Sequence, residues 1–326
     1  MINTDRIFSI GSSTEFEACC LEIFAFQAHH CPVYAEYLSL LDIKAAAITQ
    51  VGDIPFLPIE FFKTRDIISS GSRPQLVFSS SGTTGSIPSK HLVADVMCYE
   101  RSFRTAFQRF YGSPDKLAIL ALLPSYSERE GSSLIYMVDD LIRQSKHPMS
   151  GYFLYDHGEL HNVLRQLRAS NVKTMLIGVT YALLDFVERH PIDFPELLVM
   201  ETGGMKGRRR EMIREEVHEK LCKGFNVSLI HSEYGMTELL SQAYSKGHGL
   251  FECPPWMSIH IRDTNDPLSP LPAGRTGGIN VVDLANIHSC AFIATQDLGK
   301  VHADGRFEVL GRFDQSDIRG CNLLVQ

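Results

Sequence analysis

A run of twelve residues, Ser79-Ser80-Ser81-Gly82-Thr83-Thr84-Gly85-Ser86-Ile87-Pro88-Ser89-Lys90, gathers hydroxyls, glycines and one lysine. This mixture suits a phosphate group. Glycines let backbone N–H groups come close, hydroxyls add donors and the lysine supplies charge. Leu76-Val77-Phe78 before it reads as a strand, and Leu92 to Tyr111 after it reads as a helix. The Gly-x-x-x-x-Gly-Lys-Ser/Thr spacing of a Walker A loop is absent. Taken alone, the segment also fits a solvated Ser/Gly linker, and both readings stay open.

Two further motifs bear on the choice. Tyr234-Gly235-Met236-Thr237-Glu238 follows His231-Ser232-Glu233. Farther on, Thr295-Gln296-Asp297-Leu298 leads through Asp304-Gly305 to Gly311-Arg312-Phe313-Asp314. In this order and at these long spacings, the three resemble the signature motifs of adenylate-forming enzymes, the acyl- and aryl-CoA synthetase superfamily. The closer resemblance is to the LuxE-type acyl-protein synthetases, near the phenylacetate-CoA ligases. Leu123-Pro124-Ser125-Tyr126, Gly131-Ser132-Ser133-Leu134 and Glu201-Thr202-Gly203-Gly204-Met205-Lys206-Gly207 carry it. So do Cys253-Pro254-Pro255-Trp256, Asp283-Leu284-Ala285-Asn286 and Arg319-Gly320-Cys321. Matching segments run from about Phe61 to Cys321, and the first 50 or so residues add little.

The resemblance implies attack of a carboxylate on the α-phosphate of ATP, giving an acyl-adenylate and pyrophosphate. Ser80, Ser81, Gly82, Thr83, Thr84 and Lys90 match the phosphate-binding loop. Thr237 matches the α-phosphate contact. Glu238 matches the Mg2+ ligand, and a carboxylate suits that hard cation. Tyr234, with Gly235, matches the adenine platform, and Gly203, Gly204 and Met205 pass beneath the base. Asp297 matches the carboxylate that holds the ribose hydroxyls, with Arg312 as its cationic neighbour. Cys321 matches the cysteine that carries the acyl group in LuxE-type enzymes. A thiolate there could attack the adenylate, and Arg319 would favour the thiolate. ATP and Mg2+ are thus the expected cofactors. A carboxylic acid, fatty or aromatic, is the expected substrate, and a reductase or carrier protein the expected acyl acceptor. Transfer directly to coenzyme A is the alternative, and a non-catalytic adenylate-binding protein is an alternative of another class.

These motifs need a scaffold. Between about 115 and 240, apolar strand candidates (Leu117–Leu123, Met175–Val179, Leu197–Met200, Val227–Ile230) alternate with helical patterns. The helical patterns are Leu134–Ile142, Leu160–Leu167, Tyr181–Glu188 and Arg208–Leu221. Alternation of this kind argues for an α/β fold with a largely parallel sheet and helices on its faces. Gly203-Gly204 and Tyr234-Gly235 each follow a predicted strand, where ligands bind in open α/β sheets. Thr14-x-x-Glu17 reads as a capping box for an N-terminal helix. After about 250, short β-like runs at Ser258–Ile261, Gly278–Val282, Ala291–Thr295 and Phe307–Leu310 read as an antiparallel subdomain.

The resemblance implies, as the expected fold, the N-terminal domain of an adenylate-forming enzyme, without most of the mobile C-terminal domain and its catalytic lysine. Residues 1–250 would form the adenylate-binding core with an N-terminal helical segment. Residues 251–311 would form the β-rich subdomain, and 312–326 a short tail.

Composition sets the remaining bounds. With 326 residues, 44% hydrophobic and 21% charged, the chain is long enough for a large core. A net charge of −7 without a long basic run argues against nucleic acid as a partner. Arg208-Arg209-Arg210 reads as a solvated helix face among Glu211, Glu215 and Glu216. No apolar run is long enough to span a bilayer and no stretch reads as a signal peptide. Eight scattered cysteines without a Cys-x-x-Cys pair fit a reduced, cytoplasmic protein. His29-His30-Cys31 lacks the second pair that a metal site would need.

Overall fold

The apolar runs between 115 and 240 form strands that are buried from end to end. The computed structural model describes residues 2–80, 87–125, 128–203 and 212–312. Its strands are β1 (Leu57–Pro58), β2 (Leu76–Ser79), β3 (Lys90–Val93), β4 (Ala118–Leu122), β5 (Gly151–Tyr152), β6 (Thr174–Val179), β7 (Leu198–Thr202) and β8 (His231–Tyr234). They continue as β9 (Ala243–Ser245), β10 (Phe251–Glu252), β11 (Met257–Arg262), β12 (Pro270–Leu271), β13 (Thr276–Asp283), β14 (Phe292–Val301) and β15 (Phe307–Arg312). The chain divides into two compact units. One takes the described residues of Met1–Leu76, Gly82–Asp95 and Pro255–Gln326, the other those of Val77–Ser81 and Val96–Pro254.

In the second unit the strands run in the order β10-β9-β8-β7-β6-β4-β5. From β8 to β5 all pairings are parallel, and β9 and β10 add antiparallel. Every residue of β4 and β6 is buried, as expected of strands covered on both faces. Helices Val96–Tyr111, Ser133–Ser145, His157–Ala169, Thr180–Arg189 and Arg214–Phe225 alternate with them. Two of these helices are tied by a charge pair: Arg104 donates to both oxygens of buried Asp140, at 2.8 and 2.6 Å. Burial opposes ionisation of Asp140, but the Arg104 guanidinium outweighs it and holds the carboxyl below its ordinary range.

In the first unit, β12-β11-β13-β14-β15 form an antiparallel meander, and β1 joins β14 in parallel at Leu57↔Ile293 and Pro58↔Ala294. Helix Ser13–His30 is stitched to the loop that precedes β14. Buried Gln27 donates to the carbonyls of Asn286 and Ile287, both at 2.8 Å, and accepts from the Ala291 N–H at 3.0 Å.

The parallel sheet and the antiparallel meander agree with the expected α/β fold class. Several boundaries differ. The helix cap is Ser12, which accepts from the Glu15 N–H at 3.3 Å, while Glu15 accepts from the Gly11 N–H at 2.8 Å. The capping pair thus lies two residues before Thr14 and Glu17. Leu92 and Val93 belong to β3, and the helix after them begins at Val96. Val227–Ile230 is irregular because Asn226 takes a left-handed conformation, φ +55°, and ends the preceding helix. The strand starts only at His231. That helix begins at Arg214, not Arg208; residues 208–211 lie outside the described residues.

Gln27→Leu should lower stability by about 2–4 kcal/mol, because it strands two buried carbonyls and one buried N–H. Urea unfolding of parent and variant measures this. A difference under about 0.5 kcal/mol would refute the stitching role.

Candidate functional site

The phosphate-loop candidate is described only at its edges. Ser80 follows β2, and exposed Lys90 opens β3. Ser81, Gly82, Thr83 and Thr84 lie outside the described residues, as do Gly204, Met205 and Cys321. The strand that delivers the loop is firmly seated. The Ser79 N–H donates to the Gly131 carbonyl at 2.8 Å. Buried Phe78 packs edge-on against Tyr99 and Tyr136, with centroids 5.2 and 5.8 Å away. Tyr99 in turn donates to the Ser133 carbonyl at 2.8 Å, at the start of the helix Ser133–Ser145.

In the same unit, β7 and β8 are parallel neighbours, with Met200↔His231, Glu201↔Ser232 and Thr202↔Glu233 in register. Gly203 and Tyr234 therefore leave the sheet side by side at its carboxyl edge. Gly203 has φ +64°, a left-handed conformation that a side chain would strain. Tyr234 is the last residue of β8 and is 8% exposed. Its ring meets Phe251 edge-on at 6.0 Å, and the Arg214 guanidinium lies over Phe251 at 5.2 Å. The chain then turns, with the Leu239 N–H donating to the Met236 carbonyl at 3.2 Å. Thr237 stays partly exposed on this turn, and Glu238 is buried.

The donor set at the turn, one carboxylate beside one hydroxyl, fits Mg2+, which is held by one or two carboxylates together with phosphate oxygens. Among the described residues, no group of three or more His, Cys, Asp and Glu side chains could hold a metal ion. Cys31 of the His29-His30-Cys31 cluster is buried, and its thiol is pushed up by burial.

The first unit supplies the second motif. Asp297 and Arg312 face each other across β14 and β15, with Arg312 Nε 3.3 Å from Asp297 Oδ1. The carboxylate is nearly buried while Arg312 is largely exposed. Thr295 fixes the approach: its hydroxyl donates to the Ile279 carbonyl at 2.8 Å and accepts from the Asp297 N–H at 3.1 Å. Buried Arg262 holds the Thr295 carbonyl at 2.5 Å.

Sequence reasoning missed Glu233. It stands on β8 at a partly exposed position between buried Ser232 and Tyr234. Burial, together with the neighbouring Glu201 carboxylate, pushes its carboxyl from an ordinary 4.5 to about 8. A Cβ at Gly235 would overlap Glu233 Oε1, so any larger residue there displaces this carboxyl. His231 is pushed down to about 4 by burial and by Lys246, so its imidazole is neutral at pH 7.

No family model matches the chain. It is 21% identical, over 92% of its length and 84% of the relative's, to the long-chain-fatty-acid–luciferin-component ligase of Vibrio harveyi. A solved 2-hydroxyisobutyryl-CoA ligase superposes with a TM-score of 0.66 at 12% identity, covering 93% of this chain and 70% of that one. ATP-bound MatB of Rhodopseudomonas palustris gives a TM-score of 0.54 at 16% identity, over 72% of this chain and 47% of its own, so this chain spans about half of that protein. The fold is that of solved acyl-CoA ligases, and over nearly its full length the chain is similar to a LuxE-type ligase.

Between pH 4.5 and 8 Glu233 is protonated in the fold and ionised in the unfolded chain. Folding then takes up a proton, so stability falls as pH rises across this window, by at most about 1.4 kcal/mol per pH unit. Glu233→Gln should flatten that slope in pH-dependent urea unfolding. An unchanged slope would refute the protonated assignment.

Proposed function

We propose that this protein activates a carboxylic acid with ATP and passes the acyl group to a thiol. The observation that carries the reading is that each of two motifs keeps its chemistry within its own unit. Gly203 and Tyr234 emerge together from β7 and β8 ahead of Thr237 and Glu238, and Asp297 faces Arg312 across β14 and β15. Gly203, Gly204, Met205, Tyr234 and Gly235 would hold the base, and Asp297 both ribose hydroxyls. Ser80, Ser81, Gly82, Thr83, Thr84 and Lys90 would hold the outgoing phosphates. Glu238 would hold Mg2+, which supplies charge neutralisation at the phosphates when bound.

The substrate carboxylate oxygen forms a bond to the α-phosphorus, and the bond to the bridging oxygen breaks, releasing pyrophosphate. Thr237, by its resemblance to the α-phosphate contact, stabilises charge developing there. The nearly buried Asp297 meets ribose in the ground state and therefore governs binding more than rate. In the second step a thiolate attacks the acyl carbonyl, and AMP leaves with the electron pair of the broken anhydride bond.

We assign the thiol to Cys321, by its Arg-Gly-Cys context. The luciferin-component relative is a ligase for long-chain fatty acids by name, which favours a fatty acid here. The 2-hydroxyisobutyryl-CoA ligase was solved with an acyl-adenylate and coenzyme A. That observation favours the second reading, direct transfer to coenzyme A. The free cysteines among the described residues and the absence there of a helix long and apolar enough to cross a membrane fit a cytoplasmic setting, which we propose with it.

Pyrophosphate release should depend on ATP, Mg2+ and one acid from a panel of fatty and aromatic acids. Release with none of them would refute the activity. Asp297→Ala should weaken MgATP binding about tenfold or more, the loss of charge-assisted hydrogen bonds; unchanged calorimetric affinity would refute the ribose role. Cys321→Ser should still release pyrophosphate but lose an acyl mass adduct that neutral hydroxylamine removes. An adduct that persists in Cys321→Ser would refute the assignment to Cys321, and one that never forms although adenylate does would make coenzyme A the acceptor.

A further inference from the structure

Glu201 is a charged residue on a strand whose neighbours Val199 and Met200 are fully buried. An apolar side chain would satisfy the packing there, and a carboxylate needs partners to be tolerated. It has four, from three elements. The Ser232 hydroxyl, on β8, donates to Oε1 at 2.9 Å. His218 Nε2, on the helix Arg214–Phe225, lies 3.5 Å from the same oxygen. Arg214 of that helix adds favourable charge. The Thr180 hydroxyl, at the start of the helix Thr180–Arg189, lies 2.7 Å from Oε2 and 2.5 Å from the Gly203 carbonyl oxygen. One hydroxyl proton serves both acceptors, so Thr180 latches Glu201 and the Gly203 carbonyl to each other. Burial opposes ionisation of Glu201, but these partners outweigh it and hold the carboxyl below its ordinary range.

The two arms of this hub end on the two nucleotide segments. Through Thr180 it reaches the left-handed Gly203, and through Ser232 it reaches β8 two residues before Tyr234. A third arm closes behind the platform, because the Arg214 that favours Glu201 also covers Phe251, against which Tyr234 packs. We propose that Glu201 is a positioning residue for the nucleotide base: with Thr180 and Ser232 it fixes the Gly203 backbone and the Tyr234 strand relative to each other. The proposal rests on the reading that Gly203 and Tyr234 hold the base. It predicts that losing the hub loosens the cradle before nucleotide arrives, so that binding has to order it. The loss should then fall on nucleotide affinity rather than on the chemical step.

The test uses the full chain and MgATP as probe. Thr180→Val keeps the side-chain shape and deletes the latch, Glu201→Gln keeps the size and deletes the charge, and Thr180→Ser keeps the hydroxyl. In the first two, the calorimetric Kd for MgATP and the KM for ATP in pyrophosphate release should both rise about tenfold, the scale of one hydrogen bond to a charged group. Turnover at saturating ATP should change less than about twofold, and Thr180→Ser should stay within about twofold of the parent on every measure. Should Glu201→Gln fail to fold, Thr180→Val and Ser232→Ala decide the matter. Folded variants with parental Kd and KM, or with a fall in turnover and no change in KM, would overturn the role of Glu201 while leaving the nucleotide reading intact. A parent that binds no MgATP would overturn both.

Discussion

The parallel pairing of β7 with β8 is the constraint on which the second unit's site depends. A parallel ladder fixes both the lateral spacing and the end point of its strands. Because Thr202 pairs with Glu233, the next residue of one strand and the next of the other, Gly203 and Tyr234, must emerge together. A slip of one residue would turn every side chain of β8 to the opposite face. It would move Ser232 away from Glu201 and turn Tyr234 away from Phe251. The apolar strands β4 and β6 behind this pair are buried throughout, and their burial holds the edge in place.

The carboxylates follow one rule with different outcomes. Burial disfavours the charge in each, and what stands opposite decides the result. Asp140 faces a two-pronged arginine and Glu201 faces hydroxyls, a histidine and Arg214, so both are held low. Among the described residues Glu233 meets no such compensation; burial and the neighbouring Glu201 hold it high. Glu201 and Ser232 are register partners, and so are Thr202 and Glu233, so the two glutamates fall on alternate sides of the sheet. One edge therefore carries an ionised carboxylate on one face and a protonated one on the other. Their effects on stability have opposite sign: Glu201's contribution is lost as pH falls through its lowered value, and Glu233's as pH rises toward 8.

How much of this was legible in the sequence depended on whether local pattern and final environment agreed. The strands around Ile119, Ile177 and Val199 are apolar because they are buried on both faces, so pattern and environment coincide. Thr276–Asp283 is buried beyond its first residue and is legible for the same reason, whereas Met257–Arg262 is only partly buried and is marked off by the turn residues around it. β8 was misjudged by a few residues. Its sequence, His-Ser-Glu-Tyr, is polar, and the more apolar Val227–Ile230 beside it drew the strand assignment. What makes a polar strand stable is long-range: Ser232 on Glu201, Tyr234 on Phe251, and His231 beside Tyr111 at 3.4 Å. None of these partners lies within hydrogen-bonding reach along the sequence. The same holds for Gln27, whose partners lie more than 250 residues away. Motif spacing, by contrast, brought Asp297 and Arg312 into one reading, and the strands set them opposite each other.

A site assembled this way divides its labour between residues that could touch a ligand and residues that hold those residues still. The first kind recurs as short motifs, because a phosphate or a ribose demands the same donors wherever it is bound. The second kind depends on which elements happen to adjoin, so it leaves no compact signature. Glu201 belongs to the second kind although it opens the motif that contains Gly203. Its value lies in joining Thr180 and Ser232, 52 positions apart in the chain, onto one carboxylate. A nearly buried charge with this many partners is costly to assemble and rigid once assembled. Rigidity is what a cradle for a planar base requires, since a backbone already in its bound conformation spares the ligand the entropy of ordering it.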